Sequence, residues 1–318
     1  MKPIIPFALL GALLAVGAVN AAETTPVGYY NFDAKAGGNL FVPGFVNAAV
    51  FSGALVADAP TTLTLAANSL TANALNQLPA AGLVEARATH YVEITQAGAN
   101  QGVVIDIVSN TASEITLAKD IAALNLAGTE TITIRPHVTL KSVLLAAEAN
   151  LSPFTDSVTF YPPNGISVSY TYGGDFGTGW SSDFTTADGN TRPVPPGTGF
   201  VLGVGADVAL TVTGEVKASP VVVQLPPGIV NIVGPINPLV GSTTPINAIG
   251  WGALAPFNDS ITVYDPGLIT SVSYSPLGDV NQSLTTDFSN PTTDTFDNTT
   301  GAVIITADPS SVRVNSGL

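Results

Sequence analysis

Pro153-Phe154-Thr155-Asp156-Ser157-Val158-Thr159-Phe160-Tyr161-Pro162-Pro163 recurs as Pro256-Phe257-Asn258-Asp259-Ser260-Ile261-Thr262-Val263-Tyr264-Asp265-Pro266. Seven of the eleven positions are identical, and Val158/Ile261 and Phe160/Val263 exchange one apolar residue for another. With a one-residue slip, Ser167-Val168-Ser169-Tyr170 matches Ser271-Val272-Ser273-Tyr274, and Asp183-Phe184 matches Asp287-Phe288. The copies read as a duplicated β unit of about 100 residues. Inside the motif the side chains alternate. Val158 and Phe160 fall on one face of a strand, and Ser157, Thr159 and Tyr161 on the other. A strand with one apolar and one hydroxyl face packs on a core and meets water or a neighbouring subunit.

The rest of the chain carries the same signature. His90 to Ile94, Gly102 to Val108, Ile115 to Leu117, Thr131 to Ile134, Phe200 to Val204 and Val208 to Thr213 are short, β-branched and bounded by turn residues. Gly (31) and Pro (24) supply the turns, and helical periodicity is confined to brief stretches. The pattern predicts an all-β protein of two or three small antiparallel sandwich or barrel units. The expected division is a signal peptide over 1–22, an N-terminal barrel or meander over 23–145, and repeat units over 146–222 and 223–318.

The opening segment supports export. Lys2 precedes an apolar run, Ile4 to Val16, and then small residues at Val19-Asn20-Ala21-Ala22. That is the layout of a cleavable secretory signal, and the run is shorter than the ~20 residues of a spanning helix. No later segment is long enough to span as a helix. The 318 residues include no cysteine, so disulfides, thiolate metal sites and thiol nucleophiles are excluded.

Charged residues make up only 10% of the chain, against about 25% in ordinary domains. The formal charge is −14, or −15 once Lys2 is removed with the leader. That sign opposes binding to nucleic acid or to anionic membrane surfaces. Low charge beside 46% hydrophobic residues leaves more water-averse surface than a lone soluble subunit carries comfortably.

Pro26-Val27-Gly28-Tyr29, the blocks Tyr91 to Gly102 and Ile107 to Leu117, and Ile132 to Leu140 resemble an uncharacterised family of exported β-rich proteins of verrucomicrobial-type bacteria. Pro196-Gly197-Thr198-Gly199-Phe200 and Thr213-Gly214-Glu215-Val216 extend the resemblance over most of the mature chain. It implies export and a β fold, and no activity. The chain departs from many exported proteins of such bacteria in ending without an apolar and basic sorting tail, so release or assembly is the expectation.

Candidate chemistry is sparse. His90 and His137 lack any HExxH or GxSxG context, and neither a catalytic nor a metal role is expected of them. Gly197 to Gly203 leads into a strand rather than a helix, so it is a glycine turn and no phosphate loop. Asp156, Asp183, Asp259 and Asp287 recur in both copies, with Asp188 and Asp279 in loops. Calcium is the one cofactor they leave open, although no loop has the ligand density of a calcium site and an Asp at a strand start is more simply a turn former. Trp180 and Trp251 sit in Gly-rich loops, and Trp180 is the candidate ligand contact for glycan stacking.

The expected function is therefore that of an exported, non-enzymatic structural or interaction protein. It would self-associate at the cell exterior as a filament, sheet or surface layer. Copies of itself are the expected partner, with cell-surface glycans as the alternative for a monomeric binding module, and a hydrolase as a remoter one. The candidate self-assembly segment is Leu40, Phe41, Val42, Phe45 and Val46, within an extended, Gly-rich stretch after the leader.

Overall fold

The computed structural model describes residues 27–80, 83, 85–162, 165–174, 179–217, 219–234, 243–245, 254–265, 267–277, 284–287, 292–297 and 301–314. The expected signal segment, 1–22, lies outside these residues, as do Trp251, Asp279, Phe288 and residues 315–318. The described protein is built of antiparallel strands, with one short α-helix, Leu140–Leu144, capped by the Thr139 side chain.

One sheet has seven strands, in the spatial order Phe51–Ala54, Thr131–Pro136, His90–Ile94, Val104–Asn110, Glu114–Leu117, Thr62–Thr64 and Ala57–Ala59. Its two end strands are consecutive in the chain and joined by Leu55 and Val56 alone. Opposite ends of the sheet are thus held within a few residues' reach of each other, which forces the sheet to roll. Val92, Ile94, Ile105, Ile107, Ile115, Ile132 and Ile134 fill the inside. These β-branched runs are the ones the sequence pattern marks as strands.

The repeat motif sits at the centre of two five-stranded sheets. The first runs Trp180–Ser181, Val168–Tyr172, Ser157–Phe160, Phe200–Val204, Gly37–Phe41. The second runs Leu284–Thr285, Ser271–Pro276, Ser260–Tyr264, Ala302–Ile305, Asn231–Val233. Each is accompanied by a two-stranded ribbon, Val27–Ala34 with Val208–Glu215 beside the first and Val221–Leu225 with Ser310–Val314 beside the second. The order of corresponding strands is the same in both.

Local geometry matches too. Asp156 Oδ2 accepts from the Ser152 N–H at 2.7 Å and Oδ1 from the Gly205 N–H at 2.9 Å. Asp259 accepts likewise from the Ala255 and Ala307 N–H groups at 2.6 and 2.8 Å. Phe154 and Phe257 both hold left-handed backbone, φ 61° and 62°. The hydroxyl face closes through Thr159–Ser169 at 2.8 Å and Thr262–Ser273 at 2.9 Å.

The division of the chain differs from the expected one at its start. Residues 27–41 do not belong with the seven-stranded sheet. They supply one ribbon strand and the edge strand of the first five-stranded sheet, pairing with Val208–Glu215 and Phe200–Val204. The rolled sheet, 51–136, is therefore an insertion between the second and third strands of the first repeated unit. Sequence order hides this, because a strand's partner is set by hydrogen bonding across the fold.

The candidate self-assembly segment is corrected by the same finding. Phe41 and Phe45 lie in the core of their own unit with Tyr30, Phe160 and Phe200, while Leu40 and Val42 pack with Ile232 of the other repeat. Val46 is buried as well and bridges Glu215. All five side chains are used within the molecule.

Candidate functional site

Where the rolled sheet, the first repeated unit and the second meet, they enclose a cleft of about 500 Å³. The insertion contributes Glu85, Arg87, Asp106 and Lys119. The first unit contributes Phe160, Tyr161 and Arg192 with a run of prolines, and the second contributes Val222 to Gln224 and Ile232.

The polar side chains are placed by local structure. Arg87 lies on a chain crossing bonded to Leu78 in both directions, at 2.8 and 3.0 Å. Its guanidinium reaches out of the insertion and donates to the Asp188 carbonyl, to Thr191 Oγ1 at 3.1 Å and to the Tyr170 hydroxyl at 2.9 Å. Arg192 follows the 3₁₀ turn Asp188–Thr191 and reaches the other way, to Glu85, with its guanidinium over the Phe160 ring. Two arginines thus cross the junction in opposite directions. Both are buried, and each keeps a buried Nε–H with no partner among the described residues. Among those residues Arg87 makes no ion pair. Burial and the neighbouring Arg192 hold its pKa below the ordinary arginine value, against Tyr170, Asp188 and Glu85.

Lys119 is solvent-exposed on the cleft wall. Loss of water inside the concavity lowers its pKa from the usual lysine value, opposed by Asp106. Asp106 in turn faces His137 Nε2 at 2.9 Å. The two histidines are neighbours across adjoining strands, since His90 pairs with Pro136. Proximity to His137 adds to the burial that lowers the His90 pKa. Among the described residues His137 Nδ1 is buried without a hydrogen-bond partner, and no described hydroxyl stands in line with the His137–Asp106 pair.

Trp180 does not present itself to a ligand. It is 0% exposed, it packs against Tyr172 at 5.4 Å, and it belongs to the core of the first unit. A glycine-rich loop looks open in sequence, but a short edge strand here pairs with Val168–Tyr172 and turns the indole inward. The recurring aspartates serve their own turns. Asp156 and Asp259 accept the backbone N–H groups given above, and Asp183 and Asp287 accept from nearby hydroxyls. No cluster of three or more metal-ligating side chains occurs among the described residues.

The chain matches no family model, no curated protein and no solved structure.

Arg87, Lys119 and Arg192 were not singled out by sequence reasoning. They are isolated cations in separate loops with no spacing motif. The one available signal was their rarity, for the chain holds nine basic residues in all.

Proposed function

We propose that this is an exported, non-catalytic structural protein of the cell exterior that associates with copies of itself. One observation carries the reading. Phe154 and Phe184 form a ring pair at 5.7 Å on the surface, 54% and 48% exposed, and Phe257 stands at the repeat position of Phe154, 67% exposed. All three hold left-handed backbone near φ 60°. That conformation costs a side-chain-bearing residue about 1–2 kcal/mol. Large apolar rings kept in strained, outward-facing positions are features of contact surfaces.

The low charge and the absence of cysteine agree with a β scaffold assembled outside the cytoplasm, and the export reading rests on residues 1–22 of the sequence. No helix among the described residues is long and apolar enough to cross a membrane. The matched topology and turns of the two sheets support their origin by internal duplication.

The test is light scattering of the mature protein over a concentration series, with negative-stain microscopy. Oligomers that dissociate in the Phe154→Ser, Phe184→Ser, Phe257→Ser triple variant are expected. A wild-type protein that stays monomeric at high concentration overturns the reading. A second reading, a ligand-binding module, draws on the cleft and no longer on Trp180.

A further inference from the structure

The cleft has the opposite electrostatic character to the molecule around it. Three of the nine basic residues of the chain line it, against two of the 23 acidic ones. Glu85 is already paired with Arg192, and Asp106 faces His137. That leaves Arg87 and Lys119 with no carboxylate partner among the described residues. A buried cation outside any ion pair is costly, and Asp188 and Glu85 act on Arg87 only from beyond ion-pair distance. The Tyr170 hydroxyl and the Asp188 carbonyl solvate Arg87 but do not neutralise it. Its unpaired Nε–H, and that of Arg192, mark donor capacity that the chain itself leaves unused.

We infer that the cleft is a binding site for a small organic oxyanion, a carboxylate- or phosphate-bearing molecule. Lys119 is the exposed contact, and the paired guanidiniums of Arg87 and Arg192 form the positive floor behind it. The volume lies within the range of about 300–1,000 Å³ typical of small-molecule sites. Tyr161, Pro195, Pro196 and Ile232 provide apolar wall for the body of the ligand, so an anionic ring such as a sugar acid suits the site better than a bare ion. Because the floor is built of cross-junction contacts, an occupant would also tie the insertion to the first repeated unit. This inference does not depend on self-association, and the chemistry is independent of the exposed phenylalanines.

The test is calorimetry and thermal shift on the full mature protein at low salt. The probes are galacturonate, citrate, inorganic phosphate and neutral glucose. Saturable binding of at least one anion, lost at high salt, and absent for glucose, is expected. A carboxylate-only response assigns a sugar-acid type of ligand, and a phosphate response a phosphorylated one. Lys119→Gln removes an exposed side chain that makes no hydrogen bond or ion pair among the described residues, so it should fold normally and weaken anion binding by about tenfold. Arg87→Lys, which keeps the charge but loses the forked geometry, should weaken binding further. No saturable anion binding, equal binding of glucose, or an affinity unchanged in Lys119→Gln overturns the proposal.

Discussion

Glu93 Oε1 and Lys217 Nζ meet at 2.5 Å with both side chains almost wholly buried, 1% and 2% exposed. One comes from the inserted sheet, the other from the connector between the repeated units. Ser219 Oγ donates to the same carboxylate oxygen at 2.8 Å, and the ammonium also reaches the Ser219 and Pro220 carbonyls at 2.8 and 2.9 Å. Beside it, Arg135 pairs with Glu215 at 2.5 Å. Four ions thus fix three parts of the chain at one point.

Removing one partner strands a buried charge. Glu93→Ala or Lys217→Ala is expected to lower unfolding free energy by about 3–5 kcal/mol. The joint replacement Glu93→Leu, Lys217→Met should recover most of that loss. Urea denaturation of the singles and the double checks it, and a double variant no better than the singles contradicts it.

The repeated aspartates give an internal control. Asp156→Ala leaves the Ser152 and Gly205 N–H groups without their acceptor, and Asp259→Ala does the same to Ala255 and Ala307. Each should cost about 1–3 kcal/mol, with similar values for the two. Asp→Asn keeps one acceptor oxygen and should cost less. Thermal melting of the four variants measures both comparisons.

Trp180→Ala should act on stability alone. A fully buried indole truncated to a methyl group leaves a cavity, at a cost of about 3–5 kcal/mol. Any binding to polysaccharide should be unchanged once the variant is compared under conditions where it is folded. A selective loss of affinity in a fully folded variant would restore the tryptophan as a contact.

Stability should fall in alkali. Burial raises the phenol pKa of Tyr30, Tyr91 and Tyr170, and burial followed by the hydrogen bond to Asp294 pushes Tyr274 up to about 12. Between the unfolded value near 10 and the folded value, the native state holds more protons than the unfolded one. Unfolding free energy therefore decreases as pH rises through that window. Tyr274→Phe should flatten part of the slope between pH 10 and 12 in denaturation experiments.

Gly102 tests the packing of the insertion on the second repeat. Its φ is +86°, and a Cβ there would lie 2.4 Å from the Pro220 carbonyl oxygen. The same glycine carbonyl accepts from the Val222 N–H at 2.8 Å. Gly102→Ala should destabilise by more than about 1 kcal/mol, whereas the exposed Gly98→Ala, with open space around it, should show only the backbone term. Differential scanning calorimetry separates the two.

The β class and the strand faces were legible in local sequence, as was the second occurrence of the eleven-residue motif at 256–266. Alternation at Val158, Phe160, Ile261 and Val263 depends only on neighbours in the chain, and the periodicity of two is a property of extended backbone. It also marked Asp156 and Asp259 as turn formers. Tertiary structure decided what each exposed-looking segment meets. Residues 40–46 and Trp180 read as surface because small and turn residues flank them, yet distant strands cover them. The cleft was invisible for the same reason: Arg87, Lys119 and Arg192 share no spacing, and only the fold of three units around one junction brings rare cations together. Local pattern sets secondary structure, while burial and electrostatic partnership are properties of contacts between residues far apart in the chain.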